Sequence, residues 1–252
     1  MIRILVTNDD GVRSKGIRAL AEALAPLGEI VTVAPTREVS AIGHALTLHH
    51  PLRLEHLRDS IYALDGTPTD CVNIAVAAVL KGLPDLVVSG INRGLNLGDD
   101  VTYSGTVAGA MEAALLGVPA IAVSLEQGPG EWDYGEAAAI AVEMAQRLLA
   151  IPLPPRTFLN VNVPRRTPRG VRVTVQGARN HATTVTHRHD PRGRPYFWIG
   201  EGQDEWLANG DSDHEAVRAG FVSVTPLQTD LTALEMVGAL KALGFGNGPE
   251  VE

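Results

Sequence analysis

Two adjacent carboxylates, Asp9 and Asp10, end the first apolar run of the chain and are followed by Gly11. Neighbouring carboxylates repel each other and are hard to hold together without a cation. A hard divalent ion such as Mg²⁺ or Mn²⁺ meets that need with oxygen ligands. The segment Asn8-Asp9-Asp10-Gly11 is equally ordinary turn chemistry when taken alone. A second cluster, Ser89 to Asp100, interleaves Gly90, Gly94 and Gly98 with Asn92 and Asn96. Glycine lets backbone approach an anion closely, and the amides offer neutral oxygens or N–H donors. A third, Tyr103-Ser104-Gly105-Thr106, opens a run of small residues. Free N–H groups at a helix start make a phosphate site, with Ser104 and Thr106 as extra donors. Ala108 and Gly109 read more simply as close packing. The lysine of a P-loop is missing here, which disfavours nucleoside triphosphate hydrolysis of that type.

Two further segments carry weaker signals. In Arg37 to His44, Ser40 offers a metal ligand or phosphate donor and His44 a general acid, but spacing singles out neither. Arg179 to Arg194 contains His181, His187 and His189 among several arginines. Their spacing fits no structural zinc motif. The segment reads as a mobile basic loop that attracts phosphate or packs on another subunit. Cys71 reads as a small core residue.

The elements that must position these groups follow from periodicity. Ile2–Thr7, Ile30–Ala34, Leu86–Ser89, Ala120–Ser124 and Phe158–Val163 are short apolar runs that predict buried strands. Between them, helical spacing predicts helices over Ile17–Leu24, from the Thr67 cap through Leu80, over Ser104–Leu116 and over Tyr134–Leu149. Short strands are expected around Leu46–Leu48, Leu52–Leu54 and Ile61–Leu64, and a glycine-rich loop over Gly90–Tyr103. Strands alternating with helices argue an α/β fold with a parallel sheet covered on both faces. After Pro164 the pattern changes. Val171–Val175, Tyr196–Ile199 and Phe221–Val224 read as strands of a β-rich extension with no clear helix, and Thr232–Leu243 as a final helix.

Bulk properties narrow the partners. The 252 residues are 45% hydrophobic, enough for one sizeable core or a core with a smaller appendage. A net charge of -8 is a poor match for nonspecific binding to duplex nucleic acid or to an anionic membrane. No apolar stretch is long enough to span a bilayer. Ile2–Val6 is too short for a signal peptide. The single cysteine allows no internal disulfide. A soluble cytoplasmic protein is expected.

The motifs, in this order, resemble the survival protein E (SurE) family of 5′-nucleotidases. The resemblance rests on Ile4–Gly11, Gly66–Val72, Val88–Asn92, Asn96–Val101, Tyr103–Thr106 and Gly220–Thr232, and so spans nearly the whole chain. It implies a Rossmann-like, three-layer α/β/α core with a mostly parallel sheet over residues 1–164. It further implies a β-rich C-terminal extension over 165–231 used in a homodimer or homotetramer, then a helix and tail over 232–252. The implied activity is metal-dependent hydrolysis of nucleoside 5′-monophosphates; whether 3′-monophosphates and polyphosphate are cleaved too is left open by the sequence. The family's metal ligands fall on Asp9, Asp10, Ser40 and Asn92, one Mg²⁺ or Mn²⁺ per subunit, with Asp9 and Asp10 also catalytic. Asn96, Ser104, Gly105 and Thr106 are the implied phosphate contacts. Thr36 stands where an aspartate is common and Phe221 where a tyrosine is common; neither is a proposed ligand. The alternative is a nucleotide-binding regulatory module without turnover, since a fold does not set a function.

Overall fold

The computed structural model describes residues 1–151, 153–180, 183–201, 205–208 and 210–243. Pro152, His181 and the tail 244–252 are among the residues outside the described ones. In chain order the elements are β1 (Arg3–Thr7), α1 (Lys15–Leu24), β2 (Glu29–Pro35), β3 (Leu54–Arg58), β4 (Ile61–Leu64), α2 (Pro68–Ile74), β5 (Leu86–Arg93), α3 (Gly105–Leu115), β6 (Ala120–Leu125), α4 (Gly135–Ala150) and β7 (Thr157–Val163). They continue as β8 (Val171–Val173), β9 (Arg179–Asn180), β10 (Thr183–His189), β11 (Pro195–Glu201), β12 (Glu205–Trp206), α5 (Asp213–Arg218), β13 (Val222–Gln228) and α6 (Leu234–Ala242).

Nine strands form one sheet in the order β3-β4-β2-β1-β5-β6-β7-β13-β8. The run from β4 to β7 is parallel; β3 and β13 are antiparallel to their inner neighbours. Alternation along each central strand feeds two cores. Ile4 and Val6 face α1 and α4 together with Ile17, Leu20, Ile140 and Met144. Leu5 faces α2 and α3 together with Cys71, Val72, Val107 and Ala110. Both faces being covered explains why these strands are almost wholly apolar. Cys71 is fully buried, a core residue as expected.

Several expectations on element limits are corrected. Leu46–Leu48 is not a strand. The backbone there turns to α2 instead: Thr47 donates its N–H and hydroxyl to Asp70, at 2.9 and 2.6 Å, and Thr67 donates its hydroxyl to the carbonyl of Ala45. The strand expected at Leu52–Leu54 runs from Leu54 to Arg58, a mostly exposed edge strand whose residues show no apolar alternation. β5 extends through Arg93 with a register shift between Ser89 and Asn92. The stretch after Pro164 does hold a helix, α5, started by a reciprocal capping box between Ser212 and Glu215. Val171–Val173 and Val222–Gln228 join the main sheet, while β10 and β11 pair as a separate hairpin. The described residues of the basic segment, 179–180 and 183–194, are thus mainly strand and turn rather than a loop.

Candidate active site

β1 leads outward to β2 and β4 on one side, whereas β5, β6 and β7 follow on the other. The crevice at such a reversal, outside the carboxyl ends of the strands, is where open α/β sheets bind ligands. Asp9 and Asp10 leave the end of β1, and Asn92 sits near the end of β5, its immediate neighbour. Ser40 follows β2, and its loop is tied in by the N–H of Val39, which donates to the carbonyl of Asp9 at 2.9 Å. Asn8 braces the turn from beneath, donating to the carbonyl of Gly11 and the hydroxyl of Ser14.

These residues line one open cleft of about 960 Å³, with Asn96, Ser104, Glu38, Arg93, Asp100, Trp132 and Arg179 among the others on its wall. Six of the eight residues singled out from the sequence face it. Gly105 and Thr106 lie behind instead. The Thr106 hydroxyl donates to Asp9 Oδ1, so its role in the structure is to hold that carboxylate. Gly105 makes the approach possible: a Cβ there would sit 2.7 Å from the Cβ of Asp9. Gly109 acts likewise one turn on, where a Cβ would meet Ser89 and Thr7 at 2.9 Å. Ser104 caps α3 by accepting from the N–H of Val107 at 3.1 Å.

Asp9 is 5% exposed, and its carboxyl is pushed above the usual carboxylate range. Burial is the main cause; the Thr106 hydrogen bond works against it, and the charge of Asp10 adds to it. No described cationic side chain pairs with Asp9. Asp10 is compensated: Arg93 Nε lies 2.9 Å from Asp10 Oδ1, and Arg93 Nη2 reaches Glu38 Oε2 at 2.8 Å. Glu38 in turn accepts from the Ser40 hydroxyl at 2.8 Å, and this bond, with Arg93, lowers its pKa despite some desolvation. Asn92 uses its amide N–H on the carbonyl of Gly94, which leaves the amide oxygen for a ligand. A buried, uncompensated carboxylate beside a second carboxylate, a hydroxyl and an amide oxygen is a donor set that fits a hard divalent cation. Among the described residues no group of three or more His, Cys, Asp or Glu could hold a metal ion; the set here has two carboxylates with a hydroxyl and an amide oxygen.

Residues that the sequence reading missed form the support. Asn96 donates its backbone N–H to Asn162 Oδ1 and its amide to Ser124 Oγ, while Asn160 and Asn162 donate to its carbonyl. The available signal was Asn160 and Asn162 at alternate positions of an otherwise apolar strand, a buried polar face that needs a partner. His44 lies away from the cleft wall and bonds Glu112 at 2.7 Å.

The family model described as survival protein SurE matches residues 4–183. The chain belongs to the SurE family. It is 56% identical to the 5′-nucleotidase SurE of Syntrophotalea carbinolica over 230 residues, covering 91% of this chain and 92% of that one. It is 54% identical to the 5′-nucleotidase SurE of Geotalea daltonii, covering 95% and 98%. The crystal structure of the SurE protein from Aquifex aeolicus is similar with a TM-score of 0.84 at 43% identity, over 96% of this chain and 99% of that one. The mostly parallel α/β sheet expected from alternation is therefore the fold of a SurE protein. No helix among the described residues is long and apolar enough to cross a membrane.

Proposed function

We propose that this chain is a metal-dependent 5′-nucleotidase that hydrolyses nucleoside 5′-monophosphates to nucleoside and phosphate. The observation that carries the reading is the convergence of Asp9, Asp10, Ser40 and Asn92 from three strand ends on one cleft beside the start of α3. Those four residues would hold the cation, Mg²⁺ or Mn²⁺, and Asn96 and Ser104 the phosphate, with Gly105 at its back. When bound, the cation supplies Lewis-acid stabilisation of phosphoryl charge. The start of α3 adds N–H dipoles where negative charge develops. Thr106 keeps Asp9 in place, and Asp9 and Asp10 are the carboxylates available to take the proton of an attacking water. The Asn160–Asn162–Ser124 network keeps Asn96 rigid, so that phosphate binding needs little reordering. Cys71, without a disulfide partner, is in keeping with a cytoplasmic setting.

A homo-oligomer is part of the same reading. Phe197, Trp198 and Ile199 on β11 are more than 60% exposed in the single chain, and Leu234 and Leu243 of the terminal helix segment more than 70%. Apolar surface of that kind is usually covered by a partner. The activity is tested by a phosphate-release screen of nucleoside monophosphates against a metal panel, starting from chelated protein. Turnover restored by Mg²⁺ or Mn²⁺ is the expected result. Nucleotide binding without phosphate release under every metal would leave the regulatory-module reading instead.

A further inference from the structure

The protein carries 29 acidic and 21 basic side chains, yet one groove reverses that balance. It runs along α1 over the outer face of β2 and β4, with a volume of about 440 Å³. Arg13, Lys15, Arg18 and Arg58 stand around it, and Glu22 is its one carboxylate. Glu22 sits 3.7 Å from Arg18 with both side chains largely exposed, a contact of little energetic weight. Arg13, Lys15 and Arg58 make no ion pair with any described residue. The floor is apolar, built by Val12, Ile17, Leu57 and Ile61.

This groove does not stop at the start of α1. Arg13, Ser14 and Lys15 are also one wall of a second groove, of about 530 Å³. That groove adds Arg37 and Arg93 against the carboxylates Asp10 and Glu131. It ends on Trp132, which also lines the cleft of Asp9 and Asp10. The Trp132 ring stacks on Tyr134 at an interplanar angle of 13°. A continuous track therefore leads from the carboxylates past an aromatic platform to unpaired cations above an apolar floor.

We propose that this track binds the body of a short single-stranded oligonucleotide whose terminal phosphate lies at Asp9 and Asp10. The inference rests on the phosphatase reading of that cleft. Cationic grooves with aromatic and apolar surfaces take single strands, because the cations follow the phosphates and every base has a face to stack. A simple anion would not need the apolar floor, and a duplex would not fit a groove lying beside one helix. The helical part of the lining, Lys15 to Glu22, spans about 10 Å at the helical rise, and Val12 to Ser14 carry it on toward the second groove, room for a few nucleotides.

Phosphate release is compared for a 5′-phosphorylated tetranucleotide and its matching mononucleotide, in the wild type and in an Arg18→Glu/Arg58→Glu double variant. Both side chains are exposed and remote from the carboxylates, so mononucleotide turnover serves as the folding control. At low salt the wild type is expected to show a kcat/KM about tenfold higher for the tetranucleotide, and the variant to lose that advantage while keeping mononucleotide kcat/KM. Anisotropy of a 3′-fluorescein tetranucleotide reads the track without turnover. Its Kd is expected to rise about tenfold in the variant, with a wild-type salt slope of roughly −2 to −3 for four cations. Equal kcat/KM at both lengths, or an equal fall for both substrates in the variant, overturns the track. Oligonucleotide binding by the wild type that weakens about tenfold in the variant, with no turnover of any nucleotide, overturns the phosphatase reading but leaves the track standing.

Discussion

Asp9 is a carboxylate that the fold holds at its own expense. Burial disfavours its charge, Asp10 adds repulsion, and the Thr106 hydroxyl offsets only part of this. An ionisable residue buried in such a place is a functional-site candidate with a physical rationale. Asp9→Asn removes the charge while its amide oxygen can still accept from Thr106. In chelated protein it is expected to raise the melting temperature, because a buried charge gives way to a neutral group. The same change is expected to lower phosphatase turnover by roughly 10²–10³. Thermal melts and phosphate release read the two effects separately. A variant with lower apo stability and intact turnover would remove Asp9 from the centre of the mechanism. At this scale the residue types were readable early: paired carboxylates, crowded Asn and Gly, a Ser-Gly-Thr helix start. The task of Thr106 was not, because nothing local distinguishes a hydroxyl facing a phosphate from one facing a neighbouring carboxylate.

At the scale of elements, the loop after Ser40 is pinned to the helices rather than to the sheet. His44 bonds Glu112 Oε2 at 2.7 Å, and Asn73 donates to Glu112 Oε1 at 2.7 Å. The His44 hydrogen bond is the leading cause that holds the Glu112 carboxyl below its usual 4.5, with burial opposing it. A carboxylate with a depressed pKa in the fold stabilises it above the unfolded value and loses that contribution as the pH drops through the folded value. Glu112→Gln is therefore expected to destabilise by about 1 kcal/mol near neutral pH, after allowance for partial exposure. The gap to the wild type should close below pH 4.5. Urea melts across pH check this; a gap that stays constant down to pH 3 would show that charge is not its source. Element limits were legible where a pattern was strong, as in α1 or β6. They failed at Leu46–Leu48, where the N–H of Thr47 is taken by Asp70, 23 positions away in the chain. They failed at β3, an exposed edge with no apolar alternation. The Ser212–Glu215 capping box that starts α5 is legible in residue types alone, but the helix it starts is only six residues long and carries little periodicity.

For the whole molecule, the hairpin of β10 and β11 and the final helix leave large apolar side chains uncovered in the single chain. Assembly of copies through these surfaces is expected. Trp198→Glu with Phe197→Ser should shift the mass measured by light scattering toward the monomer, with the far-UV spectrum retained. A wild-type protein already monomeric at micromolar concentration would contradict the oligomer reading.

Local chemistry along the chain dictated an α/β alternation, a doubly covered sheet and a pair of carboxylates at a strand end, because periodicity and turn chemistry act over a few residues. Only the tertiary structure decided that β1 lies beside β5, so that Asp9 and Asp10 meet Asn92 rather than some other loop. Strand order depends on how helices pack across two faces and on the handedness of each crossover, which no single segment encodes. The same long-range packing brought Thr106 onto Asp9, set Asn160 and Asn162 behind Asn96, and joined the grooves of α1 to the cleft.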